Sequence, residues 1–274
     1  MSEASAQRPV RARRTASRAR TGAHRTRAPL ASLIAALALS CTLGAASAQA
    51  TQLTSISAGF SPLRLGAPTA LSLGFDVRTP DGSLPSALTG IVFHYPADLG
   101  IGTSGLGLAS CAPAKLSFAG PQACPANSIM GRGSALTEFQ VSPEVSEENA
   151  EIALVAGPAQ NGYLKLLISA TGAYPVQARI VMSTLLLPGQ LQIHVPLVPG
   201  LPEGPDVAVV RVNVTIGGNL TYYERAHGKR TAYRPQGILL PKRCPAGGFR
   251  FHASFSFLDG THSQAQTVVK CPRG

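Results

Sequence analysis

Arg211-Val212-Asn213-Val214-Thr215-Ile216 alternates polar and apolar side chains along its whole length. A period of two marks a strand with one wet and one buried face, which places Val212, Val214 and Ile216 together on a core face. Phe249, Phe251, Phe255 and Phe257 form a second inward row, interrupted at Ala253. Working outward from these two stretches, runs of alternating or β-branched character recur at 53–60, 69–77, 89–95, 134–141, 152–156, 163–170, 176–182, 191–195, 207–216, 249–257 and 265–270. The chain's 28 Gly and 22 Pro fall between these runs as punctuation rather than in low-complexity tracts, which is an all-β pattern. Eleven strands and minimal helix are expected. Antiparallel sheets with one wet face pack in pairs, so the expected fold is an antiparallel β-sandwich, immunoglobulin-like or jelly-roll-like. Phe60-Ser61-Pro62-Leu63-Arg64-Leu65-Gly66 running into Leu71-Ser72-Leu73 has the look of an immunoglobulin-like first hairpin. The single helix signal is Ser142-Pro143-Glu144, an N-cap followed by proline and an acidic first turn, which predicts one or two turns between strands.

The 274 residues carry 24 Lys and Arg against 13 Asp and Glu, a formal charge of +11. That charge is concentrated. Residues 1–50 hold eight Arg and one acid, Glu3, leaving 16 basic and 12 acidic residues for 51–274. A nucleic-acid binder defined by global charge is thereby excluded. With charged residues at 14% and hydrophobic residues at 45%, a disordered polyelectrolyte is excluded as well.

Arg8, Arg11, Arg13, Arg14, Arg18, Arg20, Arg25 and Arg27 precede an apolar run from Leu30 to Leu43 that ends in Ala46-Ser47-Ala48-Gln49-Ala50. A positive stretch, a short apolar stretch and a small-residue exit make a secretory signal peptide, with cleavage expected after Ala48 or Ala50. The apolar run is short of the roughly 20 residues that span a bilayer, so a retained anchor is the lesser reading. Cys41 follows Ala38-Leu39-Ser40, which fits lipid attachment poorly, and Arg13-Arg14 is followed by Thr15-Ala16-Ser17 without the apolar continuation of a twin-arginine signal. Val10 is an alternative start. No other candidate span follows, and the expected location is secreted or associated with the cell envelope.

Residues 51–274 suffice for one large core or two small ones, the alternative division being 51–142 and 150–274. With Cys41 removed, Cys111, Cys124, Cys244 and Cys271 remain. An even number in an exported chain implies two bridges. Of three connectivities the sequential one is preferred, Cys111–Cys124 and Cys244–Cys271, closing loops worth roughly 3 and 3.6 kcal/mol in chain entropy. No C-x-x-C is present, and no metal or cofactor is expected.

The stretch from Cys111 through Cys124-Pro125-Ala126-Asn127-Ser128-Ile129-Met130-Gly131-Arg132-Gly133, together with Cys244-Pro245-Ala246-Gly247-Gly248-Phe249, Asp259-Gly260 and Cys271-Pro272, resembles a group of uncharacterised secreted proteins of high-GC Gram-positive bacteria. The likeness covers most of 51–274. It implies export, a β-rich fold and bridged cysteines, and it carries over no catalytic residue.

Hydrolase signatures are absent: no G-x-S-x-G, no H-E-x-x-H and no S-x-x-K with K-T-G occurs. His94, His194, His227, His252 and His262 are scattered, His262 with Asp259 and His94 with Asp98 being the pairs from which a triad could assemble in space. Glu144, Glu147, Glu148 and Glu151 read as a solvated acidic connector, and neither a glycosidase pair nor a calcium loop is recognisable in them. Aromatic residues are 5% of the chain and Trp is absent, which disfavours a sugar-stacking module.

One segment stands out, 222–243. Tyr222, Tyr223, Arg225, Lys229, Arg230, Tyr233 and Arg234, with Lys242 and Arg243 further on, face the single acid Glu224. A basic loop with interleaved tyrosines suits an extracellular polyanion through charge and stacking, while a solvated hairpin with basic residues guarding a sheet edge is the plain structural alternative. The function expected from sequence is therefore an exported, non-enzymatic protein that binds or structures the envelope through an anionic polymer or another envelope protein. A secreted hydrolase with an unrecognised site is the alternative, and an adhesin offering an edge strand is a third.

Overall fold

The computed structural model describes residues 52–272 apart from 101–105, 107, 142, 201–203, 219–220, 227 and 235, with backbone alone at 224–226. The leader and its expected cleavage site lie outside the described residues. The elements are β1 (Leu53–Ser61), β2 (Pro68–Arg78), β3 (Leu88–His94), α1 (Pro113–Ala119), β4 (Ile129–Val141), β5 (Glu144–Gln160), β6 (Tyr163–Thr171), β7 (Arg179–Leu185), β8 (Gln190–His194), β9 (Ala208–Ile216), β10 (Tyr222–Ala226), β11 (Lys229–Tyr233), β12 (Ile238–Leu239), β13 (Phe249–Phe257) and β14 (His262–Val269). All eleven expected strands are present, and β10, β11 and β12 bring the number among the described residues to 14.

Two antiparallel sheets build an all-β sandwich. The larger runs β1-β2-β9-β4-β5-β6-β7, with β12 added to β2, and the smaller runs β14-β13-β3-β8. The alternating stretch in β9 lies at the centre of the larger sheet, Val214 standing between Leu73 of β2 and Gly133 of β4. Strands from before and after 143–150 are therefore neighbours in one sheet. Gly131 and Gly133 are required here: a Cβ at either would collide with the carbonyl oxygen of Thr215 or Asn213 on β9.

The Phe row of β13 is buried, with Phe249, Phe251, Phe255 and Ala253 each at 1% exposure or less. It meets the larger sheet through Phe60 against Phe249 at 5.1 Å between ring centres and Phe75 against Phe255 at 5.3 Å, contacts worth about 0.5–1.5 kcal/mol each beyond the area they bury. The sheets are also tied at their edges. Thr54 of β1 and Ser263 of β14 share a hydroxyl hydrogen bond of 2.8 Å. On the opposite side the β7–β8 hairpin crosses from one sheet to the other, and the Thr184 hydroxyl donates to the Gln192 carbonyl.

Three local expectations change. The predicted helix at Ser142-Pro143-Glu144 is a hairpin: Pro143 is in the turn, β5 starts at Glu144, and Ser142 lies outside the described residues. The β4–β5 register continues to Val141 opposite Glu144, and a ladder of this length outweighs a local capping signal. The helix that does form, α1, has Pro113 in its first turn, buries only Leu116 and leaves Phe118 91% exposed, so it shows no periodicity. The basic segment 222–243, read as a loop with a hairpin as the structural alternative, contains the β10–β11 hairpin, which among the described residues pairs only with itself.

Cys111 and Cys124 are bonded with Cα atoms 5.3 Å apart, and Cys244 and Cys271 with Cα atoms 6.1 Å apart. The first bridge holds α1 over the outer face of the larger sheet, where Leu116, Ile129, Val155, Leu167 and Tyr222 make a second small core. The second ties the entry to β13 to the exit of β14.

Candidate functional site

Between the sheets is a cavity of about 230 Å³. Its walls follow from period two: Ile152 and Leu154 of β5, Leu166 and Ile168 of β6, and Val212 and Val214 of β9 point inward from the larger sheet, and Ile91, Ile193 and Phe255 from the smaller. Along β5 it extends from Glu148 to Leu154, six residues or roughly 20 Å of strand, and across the larger sheet its lining runs from Ile56 of β1 to Ile180 of β7. Ile180 and Met182 of β7, Ile193 of β8, and Val195 and Leu197 just after it also line the cavity.

Glu148 is the one charged side chain among the described lining residues. The acidic connector of the sequence reading is corrected at this residue: Glu144, Glu147 and Glu151 are exposed, but Glu148 is 6% exposed. The alternation of β5 puts it in phase with Ala150, Ile152 and Leu154, so it must face inward with them. Its Oε1 accepts the Tyr174 N–H at 3.0 Å and its Oε2 the Val176 N–H at 3.2 Å. These bonds fix the connection between β6 and β7 across the end of the cavity. Gly172 is needed beneath it, because a Cβ there would lie 2.7 Å from Oε1. The residue was missed because four glutamates near a proline read as a loop; the phase of the strand pattern was the signal that could have found it.

The basic segment is placed differently from a uniform binding loop. Tyr222 leaves the proposed contact group: it is 6% exposed, packed against the Cys111–Cys124 layer with the Arg132 guanidinium 5.4 Å from its ring centre. Burial pushes its phenol up to about 12, with Arg132 acting in the opposite direction. Tyr233, its cross-strand partner, is half-buried and shifted upward by the same cause. Tyr223 is exposed with Arg230 stacked 3.8 Å over its ring. Lys229, Arg230 and Arg234 are exposed. Arg225 lies opposite Arg230 in the β10–β11 register, and its side chain is outside the described residues.

Comparison with family models, curated proteins and solved structures finds no match to this chain. Its chemistry must be read from its own side chains. His94, His194, His252 and His262 share the outer face of the smaller sheet, since the registers set His94 opposite His252, and Gly90 opposite both His194 and Ser256, which in turn pairs with His262. None of them lines the cavity. His262 Nδ1 lies 3.2 Å from the Ser256 hydroxyl, while the Asp259 carboxylate accepts from Thr261 and Gln52. The ring of His94 sits 5.8 Å from that of His252. His227 lies outside the described residues. Among the described residues no group of three or more His, Cys, Asp or Glu could hold a metal ion, and no helix is long and apolar enough to cross a membrane.

Proposed function

We propose that the protein is exported and non-enzymatic, and that it binds an amphiphile of the cell envelope by enclosing the hydrocarbon part between its sheets. The observation that carries this is the 230 Å³ cavity walled almost wholly by apolar side chains. An apolar cavity of about 150 Å³ holds benzene, so by proportion this one has room for roughly nine carbons. Two bridged cysteine pairs fit an oxidising compartment, which supports export. The exposed cations Lys229, Arg230 and Arg234 on the β10–β11 hairpin, with Tyr223, are the surface assigned to the anionic polymers of the envelope.

The test is a calorimetric titration of the purified protein with nonan-1-ol, a single chain of nine carbons. Saturable binding is expected with the native protein, and its loss in Ala150→Phe and separately in Ala178→Phe, which fill the cavity from a strand and from a loop. A folded variant that binds as the native protein does, or a native protein that shows no saturable binding, removes the proposal and returns a surface site to first place.

A further inference from the structure

Glu148 does more than hold a loop. It is a carboxylate at one end of an apolar cavity, and among the described residues no cation forms an ion pair with it. Each of its oxygens receives one backbone N–H, from Tyr174 or Val176. An ionised carboxylate has about four lone-pair sites, so both oxygens keep capacity for one more donor. Thr137, which stands opposite Glu148 in the β4–β5 ladder and also lines the cavity, has its hydroxyl committed to the Glu148 carbonyl at 3.1 Å. Unused polar capacity at that end of the cavity is therefore for acceptance, and it sits where a chain laid along the walls would end.

Resting on the hydrocarbon-binding reading above, we infer that the occupant is an amphiphile whose head is an uncharged hydrogen-bond donor, an amide or alcohol, bonded to Glu148. A free carboxylate or phosphate head is excluded by the same group. Two like charges about 4 Å apart at an effective dielectric near 20 repel strongly enough to lower affinity far more than tenfold. An ester head has neither charge nor donor and leaves the carboxylate capacity unused, which costs affinity wherever water cannot replace it.

Three ligands of one chain length separate these effects in the native protein: decanamide, methyl decanoate and decanoate, each titrated calorimetrically. The expected order of affinity is amide, then ester, then carboxylate, with the amide at least about tenfold tighter than the ester, the size of one hydrogen bond to a charged group. The ester is the more hydrophobic of the first two, so hydrophobicity alone gives the opposite order. Ester binding as tight as amide, or decanoate binding best, overturns the role of Glu148 while leaving the cavity reading intact. Binding of none of the three overturns the cavity reading itself. In Glu148→Gln the gap between amide and carboxylate should shrink at least about tenfold; an unchanged gap in the folded variant also counts against the inference.

Discussion

Glu138 and Glu147 stand directly opposite each other in the β4–β5 ladder. Desolvation, followed by the charge of Glu147, raises the Glu138 carboxyl above the ordinary glutamate value. Its proton is thus held more tightly in the folded than in the unfolded protein. The associated stability is fully present below the unfolded value and is lost as pH rises through the higher folded one. Like charges in this position destabilise a sheet pair. Glu138→Gln should therefore raise Tm at pH 7 and give little gain at pH 3.5. A thermal melt showing no gain at pH 7 contradicts this.

Gly133→Ala should be among the most damaging single changes. The added Cβ meets the Asn213 carbonyl oxygen and Val214 at the junction of β4 and β9, and backbone at the centre of a sheet cannot move aside. A loss of roughly 3 kcal/mol or more by urea denaturation is expected. Gly82→Ala is a control for glycine replacement, since no atom lies within 4 Å of a Cβ placed there and only its positive φ opposes it; about 1 kcal/mol is expected.

Replacing Cys244 and Cys271 by Ser should lower stability by roughly 3–4 kcal/mol, and replacing Cys111 and Cys124 by about 3 kcal/mol. The second pair should also loosen the outer layer selectively, because Leu116 and Tyr222 are held there with it. Hydrogen exchange would show this as faster exchange in α1 while β13 stays protected. Equal loss of protection in both would contradict a separate outer layer.

How much of this was legible beforehand depends on whether the pattern was carried by one strand or by several. Val212, Val214, Ile216 and the Phe row of β13 announced themselves because period two is written locally. Tyr222 did not: among arginines it reads as a surface residue, and it is buried because the turn Ala126–Ser128, which follows Cys124, packs against β10 and places it in the cluster around the Cys111–Cys124 bridge. The cavity was equally hidden. It lies between two sheets whose facing residues, such as Ile152 and Phe255, are far apart in sequence. Glu148 falls between these cases, visible in phase but masked by its acidic neighbours.

Envelope binding through the β10–β11 hairpin should weaken with salt, as exposed charge contacts do. Cosedimentation with isolated envelopes should fall between low and high ionic strength, and fall again when Lys229, Arg230 and Arg234 are neutralised. Tyr222→Phe should leave it unchanged, since that ring is covered. Binding indifferent to both salt and these cations would remove the hairpin from the account.

The most direct test of the central claim is diffraction from crystals equilibrated with 10-bromodecan-1-ol. An anomalous bromine peak between the sheets, near Leu154, Leu166 and Met182, with the hydroxyl end toward Glu148, is the predicted result. Saturating ligand with bromine only on the outer surface, and none between the sheets, would contradict it.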